Sequence, residues 1–122
     1  PAALAEMHLH ARRMVALHYR FDLLLSPTTA APAPPLGLQH ADRTDPEVYF
    51  ETLSRMTAFT QPANMSGQPA ISLPLHATPE GLPVGVMLTG RFGDEAGLLS
   101  LAARLEEARP WAGRRPPGFG AR

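Results

Sequence analysis

Apolar and polar residues recur along this chain with two different periods, which predicts a mixture of helices and strands. Residues 2–21 carry an apolar stripe at helical spacing, which predicts an amphipathic helix; the stripe consists of Leu4, Met7, Ala11, Met14, Val15 and His18. The next run, Asp22 to Ser26, is mostly apolar and stops at Pro27, which predicts a strand covered on both faces. A helix followed by a buried strand is typical of an α/β layer.

The middle of the chain predicts a long crossing followed by a second helix. Residues 27–43 are rich in proline, which fixes φ and lacks an amide hydrogen, so an extended surface connection is expected. Thr44 is the predicted N-cap of the second helix, with Pro46 in its first turn. This helix is expected to run to about Phe59. Residues 61–69 are then predicted to form a loop.

Two short segments with a period of two predict a β-hairpin. Ile71, Leu73 and Leu75 alternate with polar residues or proline, and Pro74 places that segment at an edge or a strand end. The sequence Thr78-Pro-Glu-Gly81 predicts a tight turn. The second strand is marked by Val84, Val86 and Leu88, and Gly85 within it predicts a close approach or a bulge.

A last helix is predicted after the hairpin. Asp94 is its expected N-cap, and the helix runs to about Arg109, where Pro110 ends it. Its predicted buried stripe is Leu98, Leu101, Ala102 and Leu105. We therefore expect one domain over residues 1–109. An Arg/Pro/Gly-rich tail over residues 110–122 is expected to be poorly ordered unless Trp111 docks.

The composition narrows the classes of function. Eleven acidic residues balance eleven arginines, so the formal net charge is zero and no global field favours nucleic acid or an anionic membrane. The absence of cysteine excludes disulfides and thiolate metal sites, and it fits a reducing compartment such as the cytoplasm. No apolar run approaches the ~20 residues that a membrane helix needs.

Few residues suggest chemistry by themselves. Ser66 precedes Gly67 in a predicted turn and is the nearest approach to an exposed nucleophile, but a local turn bond is the favoured interpretation. His8 and His10 are two residues apart and would point to different sides of a helix, so no metal site is expected. No cofactor motif is present. The basic tail, with Arg109, Arg114, Arg115 and Arg122, is read as a solubilising or partner-wrapping segment rather than a nucleic-acid site.

A series of short motifs resembles the C-terminal portion of the amidase signature enzymes. The similarity runs from about Asp22 to Glu107 and rests on the order and spacing of three motifs. They are Leu23-Leu-Leu-Ser-Pro-Thr28, then Asn64, Gly67, Pro69, Ala70, Ser72 and Pro74, then Gly81, Leu82, Pro83 and Gly85. The family fold is a large mixed sheet with helices on both faces. The resemblance therefore implies an α/β fold, a partial mixed sheet with flanking helices.

The same resemblance implies that this segment carries no catalytic residue. Family members hydrolyse amides through a serine–serine–lysine triad, and every basic residue outside the histidines is arginine here. The motifs near the substrate cleft of the family correspond to the strand end and to the loop after the second helix. The expected cleft-lining residues are Pro27, Thr28, Gln61, Asn64, Met65 and Gly67.

The expected partners follow from the same interpretation. A C-terminal segment needs the N-terminal portion of the same amidase, which would supply the triad and act on a small amide substrate. Alone, the segment is predicted to be inactive and to self-associate through uncovered apolar edges. The alternative is a stand-alone, non-catalytic binding or structural module that uses a sheet edge or the basic tail.

Overall fold

The computed structural model describes residues 2–40, 42, 45–116 and 118–120. Helices and strands are mixed along the chain, with two helices in succession before a pair of successive strands, and a single 3-10 turn, Leu17–Tyr19, follows the first helix. The elements are α1 (Ala2–Ala16), β1 (Leu24–Pro27), α2 (Pro46–Thr57), α3 (Thr60–Ser66), β2 (Ala70–Ala77), β3 (Pro83–Thr89) and α4 (Glu95–Ala108). The predicted N-cap Thr44 lies outside the described residues, and the Asp45 side chain accepts a hydrogen bond from the Glu47 amide at the start of α2.

The described strands form one antiparallel sheet in the order β1-β3-β2. Leu88, in the central strand, pairs with Leu25 of β1 and with Ile71 of β2. The predicted hairpin between β2 and β3 is confirmed, and its turn is closed by a 2.9 Å bond from the Gly81 amide to the Thr78 carbonyl. Helices accompany a partial sheet, so the expected α/β class is confirmed.

The hydrophobic core lies between the sheet and α4. Leu73 and Leu88 from the sheet pack with Leu98 and Ala102 from α4, and Trp111 packs against this cluster from the tail. The N-cap of α4 is the predicted one, because the Asp94 carboxylate accepts a bond from the Gly97 amide. The sequence predicted an ordered tail only if Trp111 docked, and Trp111 does pack against the core.

The opposite face of the sheet is covered along part of β3. Met87 and Thr89 point away from Leu88, yet they are only 5% and 4% exposed. The alternation predicted for β3 therefore fails at its end, because a central strand can be covered on both faces. In β2 the alternation is interrupted by a bulge between Leu73 and His76, where Pro74 cannot donate to the ladder.

The prediction that the first strand is covered on both faces is wrong for this chain. Leu25 shares the α4 side of the sheet with Leu88, but it is 73% exposed. The physical reason is position, since β1 is an edge strand and α4 packs on β2 instead. Apolar character thus identifies the strand correctly, but the covering layer is not present around Leu25.

The predicted loop over residues 61–69 is largely a helix. Helix α3 includes Pro62, which sequence reasoning placed beyond a helix end. Proline is tolerated there because the first amide groups of a helix have no intrahelical acceptor. Gly67 ends α3 in the left-handed region, with φ of 73°, and its amide donates to the Ala63 carbonyl.

The surface of the chain is large for its length. Its solvent-accessible area is 9081 Å², whereas a compact monomer of this length exposes about 6400 Å². Several large apolar side chains are exposed on this surface; they include Leu4, Phe21, Leu25, Leu36, Phe50 and Phe92. The core described above is correspondingly small for the chain that surrounds it.

Candidate functional site

A pair of hydroxyl groups marks the point where β1 ends. Thr28 Oγ1 and Ser72 Oγ are 2.6 Å apart and share a hydrogen bond. The Thr28 amide also donates to the Gly85 carbonyl at 2.9 Å, which continues the β1–β3 pairing by one residue. β1 and β2 are not neighbours in the sheet, so this bond joins side chains across the intervening strand.

Gly85 makes this contact possible. A Cβ atom placed on Gly85 would lie 2.5 Å from Thr28 Oγ1 and 2.7 Å from Ser72 Oγ. Both distances are far below van der Waals contact, so any side chain on β3 at this position would separate the hydroxyls. The sequence predicted a close backbone approach or a bulge at Gly85, and the groups that approach it in the structure are these two side chains.

The hydroxyl pair lies in an open cleft of about 310 Å³. The other groups around it are small or apolar and come from the chain after β1, from α2 and from the hairpin; the lining residues are Thr28, Thr29, Ala33, Met56, Ser72, Pro74, Pro83 and Gly85. The cleft thus combines apolar walls with a few hydroxyl groups. This is the usual composition of a small-molecule site, although its volume is at the lower end of the range.

The other predicted cleft residues lie elsewhere. Gln61, Asn64 and Met65 are exposed on α3. Met65 lines a different cleft, of about 500 Å³, formed with α1; its other lining residues are Ala3, Glu6, Met7, Leu9, His10 and Arg13. The structure therefore places Thr28 and Met65 in separate clefts.

Pro27 and Gly67, which were also predicted to line the substrate cleft, line neither of these two clefts. Pro27 is the exposed last residue of β1 and directly precedes Thr28. Gly67 faces the Phe92 ring, which would lie 3.2 Å from an added Cβ atom. Ser66, considered above as a nucleophile, donates to the Ala63 carbonyl at 3.2 Å, which is the local bond that the sequence favoured.

Sequence reasoning missed Ser72 as a site residue. It stood in an alternating strand and in the second of the three family motifs, with nothing to indicate its partner. The available signal was Gly85 in the paired strand, since a glycine inside a strand allows side chains from both sides to meet above it. The register confirms the juxtaposition, because Ser72 pairs with Met87 and Leu73 with Val86, next to Gly85.

The described residues that line the cleft around the hydroxyl pair carry no charged side chain. The hydroxyl of Thr78 and a backbone amide stabilise the carboxylate of Glu80 and lower its pKa, but Glu80 is fully exposed in the hairpin turn. In the part of the chain that the structure describes, no three histidine or acidic side chains are grouped as metal ligands. None of the described helices has the length and apolarity required to cross a bilayer.

Comparison with known proteins identifies relatives over nearly the whole chain. The sequence profile of the Amidase family matches residues 1–99. AmiC of Mycobacterium leprae (strain TN) is 44% identical over 112 residues, which are 92% of this chain and 24% of that protein. The 6-aminohexanoate-cyclic-dimer hydrolase of Pseudomonas sp. (strain NK87) is 46% identical over 101 residues, 79% of this chain and 20% of the relative.

The fold comparison agrees with the sequence comparison. A solved structure of 6-aminohexanoate cyclic dimer hydrolase complexed with substrate superimposes with a TM-score of 0.82 at 41% identity; the match covers 93% of this chain and 25% of the hydrolase chain. The chain spans about a quarter of the length of the relatives it matches. Profile, sequence identity and fold all lead to one assignment: this chain belongs to the amidase family, whose members include the amidase signature enzymes.

Proposed function

We propose that this chain is the C-terminal, non-catalytic segment of an amidase, where it completes the central sheet and shapes the substrate cleft. In the complete enzyme a serine would attack an amide carbon and form an acyl-enzyme. The triad would come from the N-terminal portion of the same protein. This chain contains no lysine and therefore cannot supply that member of the triad.

The observation that carries this proposal is the incomplete burial of the chain. Its surface exceeds that expected for a compact monomer by about 40%. The β1 strand has an apolar residue, Leu25, that no described element covers. The chain matches a quarter of a hydrolase and leaves apolar surface uncovered. Both features are expected of one layer of a larger domain rather than of a complete domain.

The cleft-shaping role rests on residues near the ends of β1 and α3. Thr28 belongs to the hydroxyl pair and Pro27 directly precedes it, while Gln61, Asn64 and Met65 present their side chains from α3. Gly67 fixes the exit of the chain from α3 toward β2. We infer that these residues, of which Thr28 and Met65 line separate clefts in this chain, line one cleft for a small amide in the complete enzyme and take no part in proton transfer. No cofactor is required, and a cytoplasmic location stays a prediction.

A chimeric enzyme tests the proposal directly. We expect this chain to replace the aligned segment of the 6-aminohexanoate-cyclic-dimer hydrolase and to leave measurable hydrolysis of the cyclic dimer. The rate should fall by no more than about a hundredfold, because a displacement of cleft groups by an ångström has about that effect. The 122-residue chain alone should show no amide hydrolysis.

The control is the same hydrolase truncated before the replaced segment, which should be inactive. Two outcomes contradict the proposal. One is hydrolysis by the isolated chain that a serine-directed reagent abolishes. The other is a chimera with the circular dichroism spectrum and melting behaviour of the parent enzyme but no turnover.

The uncovered edge also leads to a prediction about solution behaviour. We expect the isolated chain to self-associate, with a sedimentation coefficient that rises with concentration, because apolar strand edges seek partners. Leu25→Lys should lower the weight-average mass toward that of the monomer. Leu36→Lys is the matched control, since Leu36 is fully exposed in the loop after β1 and should have no such effect. A monomer at every concentration would contradict the prediction.

A further inference from the structure

We propose that Thr28 and Ser72 form a subsite for a primary amide, in which the two hydroxyl groups together hold the C=O of one amide group and the N–H on the same side of its C–N bond. The proposal rests on the proposed function, because it names the chemical group that the cleft of an amidase segment recognises. It concerns the cleft of about 310 Å³ above Gly85 and not the cleft that Met65 lines.

The hydrogen-bond inventory of the pair leaves one O–H donor and three acceptor lone pairs for a ligand. Each hydroxyl group has one O–H donor and two acceptor lone pairs. One O–H is used in the 2.6 Å bond between Thr28 and Ser72, whichever residue donates it. The hydroxyl that accepts this bond keeps its own proton, and the hydroxyl that donates it keeps its lone pairs. The pair is therefore a donor and an acceptor about one oxygen–oxygen hydrogen-bond length apart.

A primary amide group is the complement of this arrangement, whereas a trans secondary amide, whose C=O and N–H point in opposite directions, is not. The carbonyl oxygen of the primary amide accepts from the free O–H, and the N–H on the same side of its C–N bond donates to a free lone pair of the other oxygen. The three hydrogen bonds then run in one direction around a closed ring, in which each bond polarises the next. An ester has the same carbonyl but no N–H, so it leaves one position of the ring unpaired.

The surroundings of the pair favour a small ligand with an apolar part. Met56, Pro74 and Pro83 supply apolar wall area next to the hydroxyls. Gly85 forms the floor, and an added Cβ would contact both oxygens. Ser72 is exposed and Thr28 half-buried, so the polar atoms remain accessible from the cleft.

The subsite binds an amide but does not cleave it. Among the residues that the structure describes, no titratable side chain lines the cleft. A serine or threonine hydroxyl is a weak nucleophile unless a neighbouring base removes its proton. We therefore assign Thr28 and Ser72 to substrate binding, at an amide position distinct from the bond that the triad would attack.

Ligand titration of the full 122-residue chain tests the subsite. The probes are the primary amide pentanamide and the ester methyl pentanoate, which share the butyl group and the carbonyl but differ in the N–H groups, and binding is followed by ¹⁵N chemical shifts. We expect the amide to shift signals from Thr28, Ser72 and Gly85 with a Kd in the millimolar range, as for other ligands of so few atoms. The ester should bind about tenfold more weakly, since one neutral hydrogen bond is worth about that factor.

Hydroxyl deletions complete the test. Thr28→Val and Ser72→Ala should each weaken amide binding about tenfold and remove the preference over the ester. Ser54→Ala is the control, because Ser54 bonds only to the Phe50 carbonyl on α2 and should leave binding unchanged. The comparison with the parent chain needs only one of these two variants, Thr28→Val or Ser72→Ala, to retain a native NMR spectrum.

Three results would overturn the subsite: equal affinity for amide and ester, wild-type binding by either hydroxyl deletion, or no shift around Gly85 up to the solubility limit of the amide. These results are separable from the proposed function. If the titration fails but the chimera is active, the subsite alone is wrong. If the chain binds the amide through this pair but the chimera is inactive, the proposed role of the segment in completing an amidase is wrong and the subsite stands.

Discussion

Replacing Leu98 with alanine is expected to lower the free energy of unfolding by about 2–5 kcal/mol. Leu98 is 3% exposed and packs with Leu73, Leu88 and Ala102 in the core between the sheet and α4. Its side chain also lies over Gly90, where an added Cβ would be 3.2 Å from Leu98 Cγ. Glycine has no side chain that can move into the cavity, so relaxation around the missing leucine atoms is limited.

Urea denaturation followed by circular dichroism measures this loss. The matched control is the next residue, Leu99→Ala, because Leu99 belongs to the same helix and is 63% exposed. Its effect should stay within about 0.5 kcal/mol. Since a domain is typically stable by only about 5–15 kcal/mol, the Leu98 variant is expected to lose a large part of its folded population on warming. Equal losses for the two leucines would contradict the core described here.

Replacing Gly85 with alanine is expected to destabilise the fold by about 1–3 kcal/mol through overpacking. The added methyl group would come within 2.5 Å of Thr28 Oγ1 and 3.0 Å of Thr28 Cβ. Because Thr28 is held by its own amide bond to the Gly85 carbonyl, its side chain cannot move away without disturbing the end of β1. The variant should also break the 2.6 Å bond between Thr28 and Ser72.

A control glycine and a rescue background make this prediction specific. Gly113→Ala meets no atom within 4 Å, so it should be neutral or slightly stabilising. When Thr28 and Ser72 are both alanine, Gly85→Ala should cost clearly less than it does in the parent chain. Such a coupling is the signature of groups in direct contact. If Gly85→Ala lowers the free energy of unfolding equally in both backgrounds, contact with the Thr28 and Ser72 side chains is not the cause of the destabilisation.

Local sequence signals predicted the elements that depend on neighbouring residues. Asp94 caps α4 as expected because a carboxylate at that position needs only the amide three residues later. The Thr78–Gly81 turn was predicted for a similar reason, since proline and glycine fix its backbone angles locally. Helix α3 was missed because Pro62 was taken as the end of one helix, although proline is equally suited to the first turn of the next.

Burial and the candidate site were harder to predict because they depend on distant pairings. Leu25 has the character of a buried residue, but exposure is decided by which strand α4 covers. Ser72 gained its partner only through the order of the strands, which brings residues 44 positions apart to within 2.6 Å. Gly85 was the one residue whose unusual role could be inferred from its position in a strand.

The unequal sequence separation of the two strand pairings has a consequence for the order of folding. The turn after β2 brings Ile71 and Leu88 together by closing a short hairpin, whereas Leu25 reaches the same Leu88 only after most of the chain has been looped out. Closing a longer loop has a higher entropic cost, which contacts already formed must offset. The hairpin and α4 are therefore expected to assemble early, with the first strand joining last, so that changes at Leu25 would mainly affect the rate of unfolding.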